Sequence, residues 1–127
     1  MISSVLDASA ILAYLVGESG FRDVEKLLDD AAVSAVNIAE VASKLAERGA
    51  PPDRIRQTIQ ALGVEVIPCD EMIAYRIGDL RESTKALGLS LGDRACLATA
   101  LQYNVRAVTA DRQWKTLKVG ARIHVIR

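Results

Sequence analysis

Apolar residues along the chain alternate between short continuous runs and longer stretches with helical period. The continuous runs are Ile2–Leu6, Ala32–Val36, Val64–Ile67 and Arg106–Thr109, with a last one at Arg122–Ile126. Each is the length of a strand; the first four read as strands buried on both faces, while in the last His124 alternates away from the apolar positions. Between them lie amphipathic stretches. Ser9 opens a helix through Ile11, Leu12, Leu15 and Val16 that stops near Gly17. Phe21, Val24, Leu27 and Leu28 share one face of a second helix. Asn37 with Glu40 has capping-box spacing and predicts a third, running to about Arg48. Pro51-Pro52-Asp53 starts a fourth, with Ile55, Ile59 and Leu62 inward and Gly63 as its stop.

Asp70 predicts the start of one long helix with the stripe Ile73, Ile77, Leu80, Thr84 and Leu87, ended by Gly88. Ser90 caps another, with Asp93 in its first turn and Leu91, Ala95, Ala98 and Leu101 on its apolar face; Asn104 ends it. A brief helical turn is expected around Trp114 and Leu117. Strands separated by helices predict a short parallel sheet covered on both faces, a three-layer α/β/α sandwich. Residues 1–127 show no repeat, low-complexity tract or linker, and are expected to form a single domain.

Charge narrows the function classes. Sixteen basic and sixteen acidic residues cancel, which argues against holding nucleic acid through a whole-molecule positive field. Cys69 and Cys96 form no CxxC and have no histidine at metal spacing, so both are expected as reduced thiols. No signal-peptide pattern and no run of the roughly 20 apolar residues that a spanning helix needs is present, and a cytoplasmic protein is expected. The one histidine, His124, fits an edge-strand position better than a catalytic one. No glycine-rich phosphate loop occurs.

The chemistry then falls to carboxylates. In a parallel sheet every carboxyl end lies along one edge, where such folds place their sites. Asp7 follows the first strand, Glu40 lies one helical turn beyond the second, and Asp111 follows the fourth. Asp70 and Glu71 follow the third, so position alone does not single out one set. Each acid also has a structural explanation, as a helix cap or a turn residue. Asp93 joins the others only if the chain doubles back at Gly88-Leu89-Ser90. Carboxylates about 4 Å apart repel by roughly 4 kcal/mol at an effective dielectric near 20. A convergent set must therefore take up protons or bind a divalent cation, and an all-oxygen set suits Mg²⁺ or Mn²⁺.

Four segments resemble the motifs of PIN-domain ribonucleases. Val5-Leu6-Asp7-Ala8-Ser9-Ala10 resembles the first, and Asn37-Ile38-Ala39-Glu40-Val41 the second. Leu91 to Ala100, with its Gly-Asp-Arg-Ala start, resembles the third, and Val108-Thr109-Ala110-Asp111 the fourth. The size and the opening motif look most like the VapC toxins of bacterial toxin–antitoxin pairs. The resemblance implies that Asp7, Glu40, Asp93 and Asp111 bind one or two Mg²⁺ or Mn²⁺ ions, with Ser9 and Thr109 as hydroxyl supports. It implies hydrolysis of RNA by a metal-activated water, a cognate antitoxin that silences the site, and a homodimer. Arg94 and Arg112 adjoin two of the acids and are candidates for phosphate contacts. Trp114 is expected in the core, with stacking on a base as the alternative. Two other functions remain open on the sequence: a receiver-like phosphoacceptor signalling domain, and a PIN-like binding module without catalysis.

Overall fold

The computed structural model describes residues 1–127. Five parallel strands form one sheet: β1 (Ser4–Leu6), β2 (Ala31–Ser34), β3 (Glu65–Ile67), β4 (Arg106–Thr109) and β5 (Ile123–Val125), in the order β3-β2-β1-β4-β5. Register pairs Val5 with Ala32 on one side and Ala107 on the other. Val5, Ala32 and Ala107 face one layer, while Leu6, Val33 and Val108 face the other. Both sides of the central strands are dry, which explains why these runs carry no polar alternation.

Helices α1 (Ala8–Val16), α2 (Phe21–Leu27), α3 (Ala35–Glu47) and α4 (Pro52–Gln60) close over the Leu6 face. The opposite face is covered by α5 (Glu71–Asp79) and α7 (Leu91–Tyr103), with Trp114 completely buried among them. The three-layer α/β/α expectation holds, and Trp114 is a core anchor rather than a stacking platform. In the layer of α7 the buried face is wider than the expected stripe. Gly92 and every residue from Ala95 to Ala100 are buried, while Leu91, expected on the inner face, is exposed.

Two expectations change. The long helix from Asp70 is broken: α5 ends at Asp79, a short α6 spans Arg81–Thr84, and a 3-10 turn covers Lys85–Leu87. Asp70 does cap α5, accepting from Ile73 N at 2.9 Å. Gly88, at φ +64, then takes the left-handed conformation that a residue with a Cβ resists, and turns the chain toward Ser90. This doubling back starts α7 at the carboxyl edge of the sheet. The second change concerns Asn37. Ser34 ends β2 and caps α3, its Oγ accepting from Val36 N at 3.2 Å, so Asn37 lies inside the helix and not at its cap.

The strand order also decides between fold types. Receiver domains use the order 2-1-3-4-5, with the switch point between their first and third strands. Here β1 and β4 are neighbours and the switch point lies between them. The receiver alternative is therefore excluded by topology. No helix is long and apolar enough to cross a membrane.

Candidate active site

The switch point opens between the ends of β1 and β4. Asp7 N donates to Val108 O at 2.8 Å, extending the strand ladder by one residue and delivering Asp7 to the crevice floor. The side chain is almost fully buried, at 3% exposure. Its Oδ2 accepts from Ser9 Oγ at 2.7 Å and from Thr109 Oγ1 at 3.2 Å. Ser9 Oγ in turn accepts from Ala110 N at 3.0 Å, and Thr109 Oγ1 accepts from Asp111 N at 3.1 Å. The two hydroxyls thus lock the loop after β4 onto the first residues of α1. Both hydroxyls, expected beside the acids, hold one oxygen of Asp7.

Glu40 comes from the first turns of α3, where Asn37 holds it. Asn37 Nδ2 donates to Glu40 Oε1 at 2.7 Å and to Gly92 O at 2.9 Å, from a fully buried position. Gly92 must be small: a Cβ there would overlap the Glu40 carboxylate. Asp93 follows on the first turn of α7. Its Oδ2 accepts from Ser90 N at 2.9 Å while Ser90 Oγ accepts from Asp93 N at 3.1 Å, a complete capping box.

Asp7, Glu40 and Asp93 lie within electrostatic reach of one another. Burial above all pushes the Asp7 carboxyl up from 3.8 to about 7. The Asp93 and Glu40 charges push the same way, while the Ser9 and Thr109 hydroxyls pull against them. Cys96 lies on α7 near the floor, its Sγ 3.8 Å from Val5 O, and burial together with the same three acids raises its thiol well above the usual range. Asp111 sits at the same edge but joins through Thr109 rather than through direct carboxylate coupling. Its Oδ1 accepts from Gln113 N at 2.9 Å, starting the 3-10 turn Arg112–Thr116.

A common pattern runs through these four acids. Each is anchored through one oxygen: Asp7 Oδ2, Glu40 Oε1, Asp93 Oδ2 and Asp111 Oδ1. No protein donor reaches the other oxygen of any of them, and Asp7 Oδ1 is buried without a partner. A buried carboxylate oxygen without a donor is costly unless a proton or a cation meets it. As the side chains stand, no three of the Asp, Glu, His or Cys groups come together closely enough to hold one metal ion. Hard oxygen donors, fixed at one end and free at the other, fit an ion of the Mg²⁺ or Mn²⁺ type that keeps part of its water shell.

The remaining expected residues divide. Arg94 turns inward: Nη1 donates to Ile77 O at 2.9 Å and Nε is buried, so the guanidinium ties α7 to α5 rather than reaching for a phosphate. Arg112 is exposed beside Asp111, at the rim of the site. His124 lies on edge strand β5, its Nε2 at 3.5 Å from Asp23 Oδ2, away from the acids. Sequence reasoning did not assign three residues that the structure brings to the site: Asn37 as the holder of Glu40, Gly92 as the residue that leaves room for it, and Arg127 on the rim. The spacing of Asn37 and Glu40 carried the signal, since residues three apart on a helix are neighbours whether or not the first is a cap.

A parallel α/β sandwich with acids gathered at its switch point is a carboxylate-site α/β domain. The PIN domain family matches residues 4–119, and the chain belongs to that family. No curated protein sequence matches it. Solved structures show the same fold. A toxin–antitoxin complex from Klebsiella pneumoniae superposes with a TM-score of 0.75 at 22% identity, covering 98% of each chain. A DNA-bound VapBC from Salmonella typhimurium gives 0.77 at 20% identity over 100% of both chains. VapBC-1 from nontypeable Haemophilus influenzae gives 0.68 at 22% identity, covering 99% of this chain and 98% of that one.

Proposed function

We propose that residues 1–127 form one nuclease domain, a Mg²⁺- or Mn²⁺-dependent endoribonuclease acting as the toxin of a toxin–antitoxin pair. The observation that carries this reading is the buried Asp7 within electrostatic reach of Glu40 and Asp93, with Asp111 tied to the same network through Thr109, each acid held at one oxygen and free at the other. Membership of the PIN family supports nuclease chemistry. The toxin assignment is supported by structural neighbours described as a toxin–antitoxin complex and as a member of the VapBC family of toxin–antitoxin systems. By the same reasoning the partners are an RNA substrate, a cognate antitoxin protein and a second copy of this chain, and the protein works in the cytoplasm.

Asp7, Glu40, Asp93 and Asp111 would hold the cation, which when bound supplies charge for the phosphate and a reactive water. The chain's own residues set the stage for an in-line attack. Ser9 and Thr109 fix the rotamer of Asp7 through its Oδ2, which leaves the buried Oδ1 without a protein partner. Asn37 keeps Glu40 turned toward Gly92 and hence toward α7. The Ser90 cap fixes Asp93 and leaves its second oxygen available. Such preorganisation matters because catalytic groups held in place need no rearrangement as charge develops.

The test is cleavage of a mixed RNA pool by the purified protein with Mn²⁺, mapped by sequencing the new ends. Cleavage that stops on chelation and in Asp93→Asn supports the reading. Undiminished cleavage in that variant removes the mechanism, and a folded protein that binds metal but cuts nothing leaves the non-catalytic PIN module.

A further inference from the structure

The acids are flanked by two open cavities of different character. One, of about 440 Å³, reaches Glu40, Lys44, Ser90 and Leu91. Its one cation, Lys44, lies 3.8 Å from Glu47. The other, of about 500 Å³, is lined by Ser9, Ala110, Asp111, Arg112 and Arg127. Ser9 and Asp111 belong to the hydroxyl–carboxylate network of the site, so this cavity is its direct continuation.

The two arginines reach it from separate parts of the chain. Arg112 follows Asp111, is exposed, and makes no ion pair or side-chain hydrogen bond. Arg127 arrives through β5: Ile126 N donates to Thr109 O at 3.0 Å, which carries the chain to the same edge of the sheet. Its guanidinium is oriented by Nη2 to Glu18 Oε2 at 3.2 Å and by Nε to Ser19 O at 3.3 Å. Only 31% of the side chain is exposed, so the fork is held rather than waving in solvent.

RNA brings one negative charge per nucleotide to a chain whose formal charge is zero and whose crevice is lined with acids. A cation held by the carboxylates would supply charge for the scissile phosphate alone; the neighbouring phosphate needs its own counter-charge. A planar guanidinium answers this well, because its donors match two phosphate oxygens at once. We propose that Arg112 and Arg127 form a binding site for the phosphate of a nucleotide flanking the scissile bond, so that single-stranded RNA lies across the site with its backbone anchored on the Asp111 side. This assignment rests on the nuclease reading above. Glu18 is then the group that the phosphate competes with for Arg127.

The experiment measures binding apart from cleavage. In the Asp93→Asn background with Mg²⁺ present, fluorescence anisotropy follows a short labelled single-stranded RNA of mixed sequence. R112A and R127A are each expected to weaken binding roughly five- to tenfold. Each should also flatten the slope of log affinity against log salt by about 0.7, the value for one phosphate that is no longer neutralised. R127K should recover part of the affinity, E18Q should bind as tightly as its parent or tighter, and K118A, at an exposed lysine that does not line the cavity, should be unchanged. Equal affinity and equal salt slope in the R112A/R127A double variant would overturn the proposal, as would no RNA binding by the parent. Arginine-dependent binding of a glutamate-rich peptide without arginine-dependent RNA binding would also overturn it, assigning the site to a protein partner. Arginine-dependent RNA binding in a protein whose wild type never cuts RNA would sustain the phosphate site and fail the nuclease reading.

Discussion

Asn37 holds Glu40 by a 2.7 Å hydrogen bond from within the same helix, and with its other proton it binds the backbone of α7 at Gly92, 2.9 Å away. One buried amide therefore fixes both the direction of a site carboxylate and the distance between the two helices that carry Glu40 and Asp93. Asn37→Ala leaves Glu40 Oε1 without its donor and removes the side-chain bond to Gly92 O that ties α3 to α7. The expected loss of stability is about 1.5–3 kcal/mol, the range for buried bonds to charged groups. Cleavage should suffer through kcat by about tenfold or more, with KM nearly unchanged, because a swinging Glu40 weakens preorganisation rather than substrate binding. Asn37→Asp should be worse than Ala, since it sets a second carboxylate against Glu40. Steady-state cleavage and thermal melts of both variants check this; an Asn37→Ala enzyme with unaltered kcat would remove the positioning role.

Gly92 makes a sharper test, because stability and activity should part company. In an open helix position Gly→Ala is worth about 1 kcal/mol of added stability. At this position the new methyl group takes the space of the Glu40 carboxylate. Glu40 is the flexible end of a side chain, so it can swing aside and spare the fold. Gly92→Ala is expected to melt within about 1 kcal/mol of the parent while losing at least tenfold in cleavage. A variant that cuts RNA at the parental rate would show that Glu40 works equally well when displaced.

The layers, the strand positions and the ends of most helices could be read from the chain because burial on both faces leaves unbroken apolar runs and because capping residues mark helix starts. What could not be read depended on long-range geometry. The stripe from Ile73 to Leu87 has the period of one helix, yet the chain breaks after Asp79 so that α7 can begin at the acidic edge. Periodicity reports which side chains face inward, not where the backbone turns. Asn37 looked like a cap since Ser34, the true cap, was counted into the preceding strand. Beside Asp93 in sequence, Arg94 reads as a solvated arginine or a candidate phosphate contact; only the packing of α5 against α7 shows it turned inward to Ile77. Arg127 reaches the site across the sheet from a distant part of the chain, and no local pattern foretells that.

Asp93 has two functions, and two variants separate them. Its carboxylate completes the capping box of α7 and faces the site acids. Ser90→Ala removes one half of the cap and should cost about 1 kcal/mol of stability, with cleavage within about threefold of the parent. Asp93→Asn keeps an oxygen to accept from Ser90 N but loses the charge. It should melt close to the parent and lose about a hundredfold or more in cleavage, as expected when a charged group of a metal site is neutralised. Calorimetric titration with Mn²⁺ provides the second readout, with weakened binding in Asp93→Asn alone. Equal losses of activity in the two variants would reduce Asp93 to a helix cap.

The buried Asp7 predicts how the metal-free protein responds to pH. Its carboxyl rises from 3.8 to about 7 on folding, chiefly through burial. Between those values the folded state binds the proton that the unfolded state has released, so stability falls as pH rises. The contribution is fully present below pH 3.8 and is lost once the pH passes about 7. At about 1.4 kcal/mol per unit the span amounts to about 4 kcal/mol. Asp7→Asn has no charge to bury. In EDTA the stability of Asp7→Asn relative to the parent should therefore climb from pH 4 to pH 8 by up to about 4 kcal/mol, measured by urea unfolding at each pH. Adding Mn²⁺ should flatten this climb, because a bound cation stabilises the ionised parent by mass action and leaves the amide variant behind. A stability difference that stays constant across the range would mean that Asp7 is already ionised in the folded, metal-free chain, and that its burial is offset by donors other than Ser9 and Thr109.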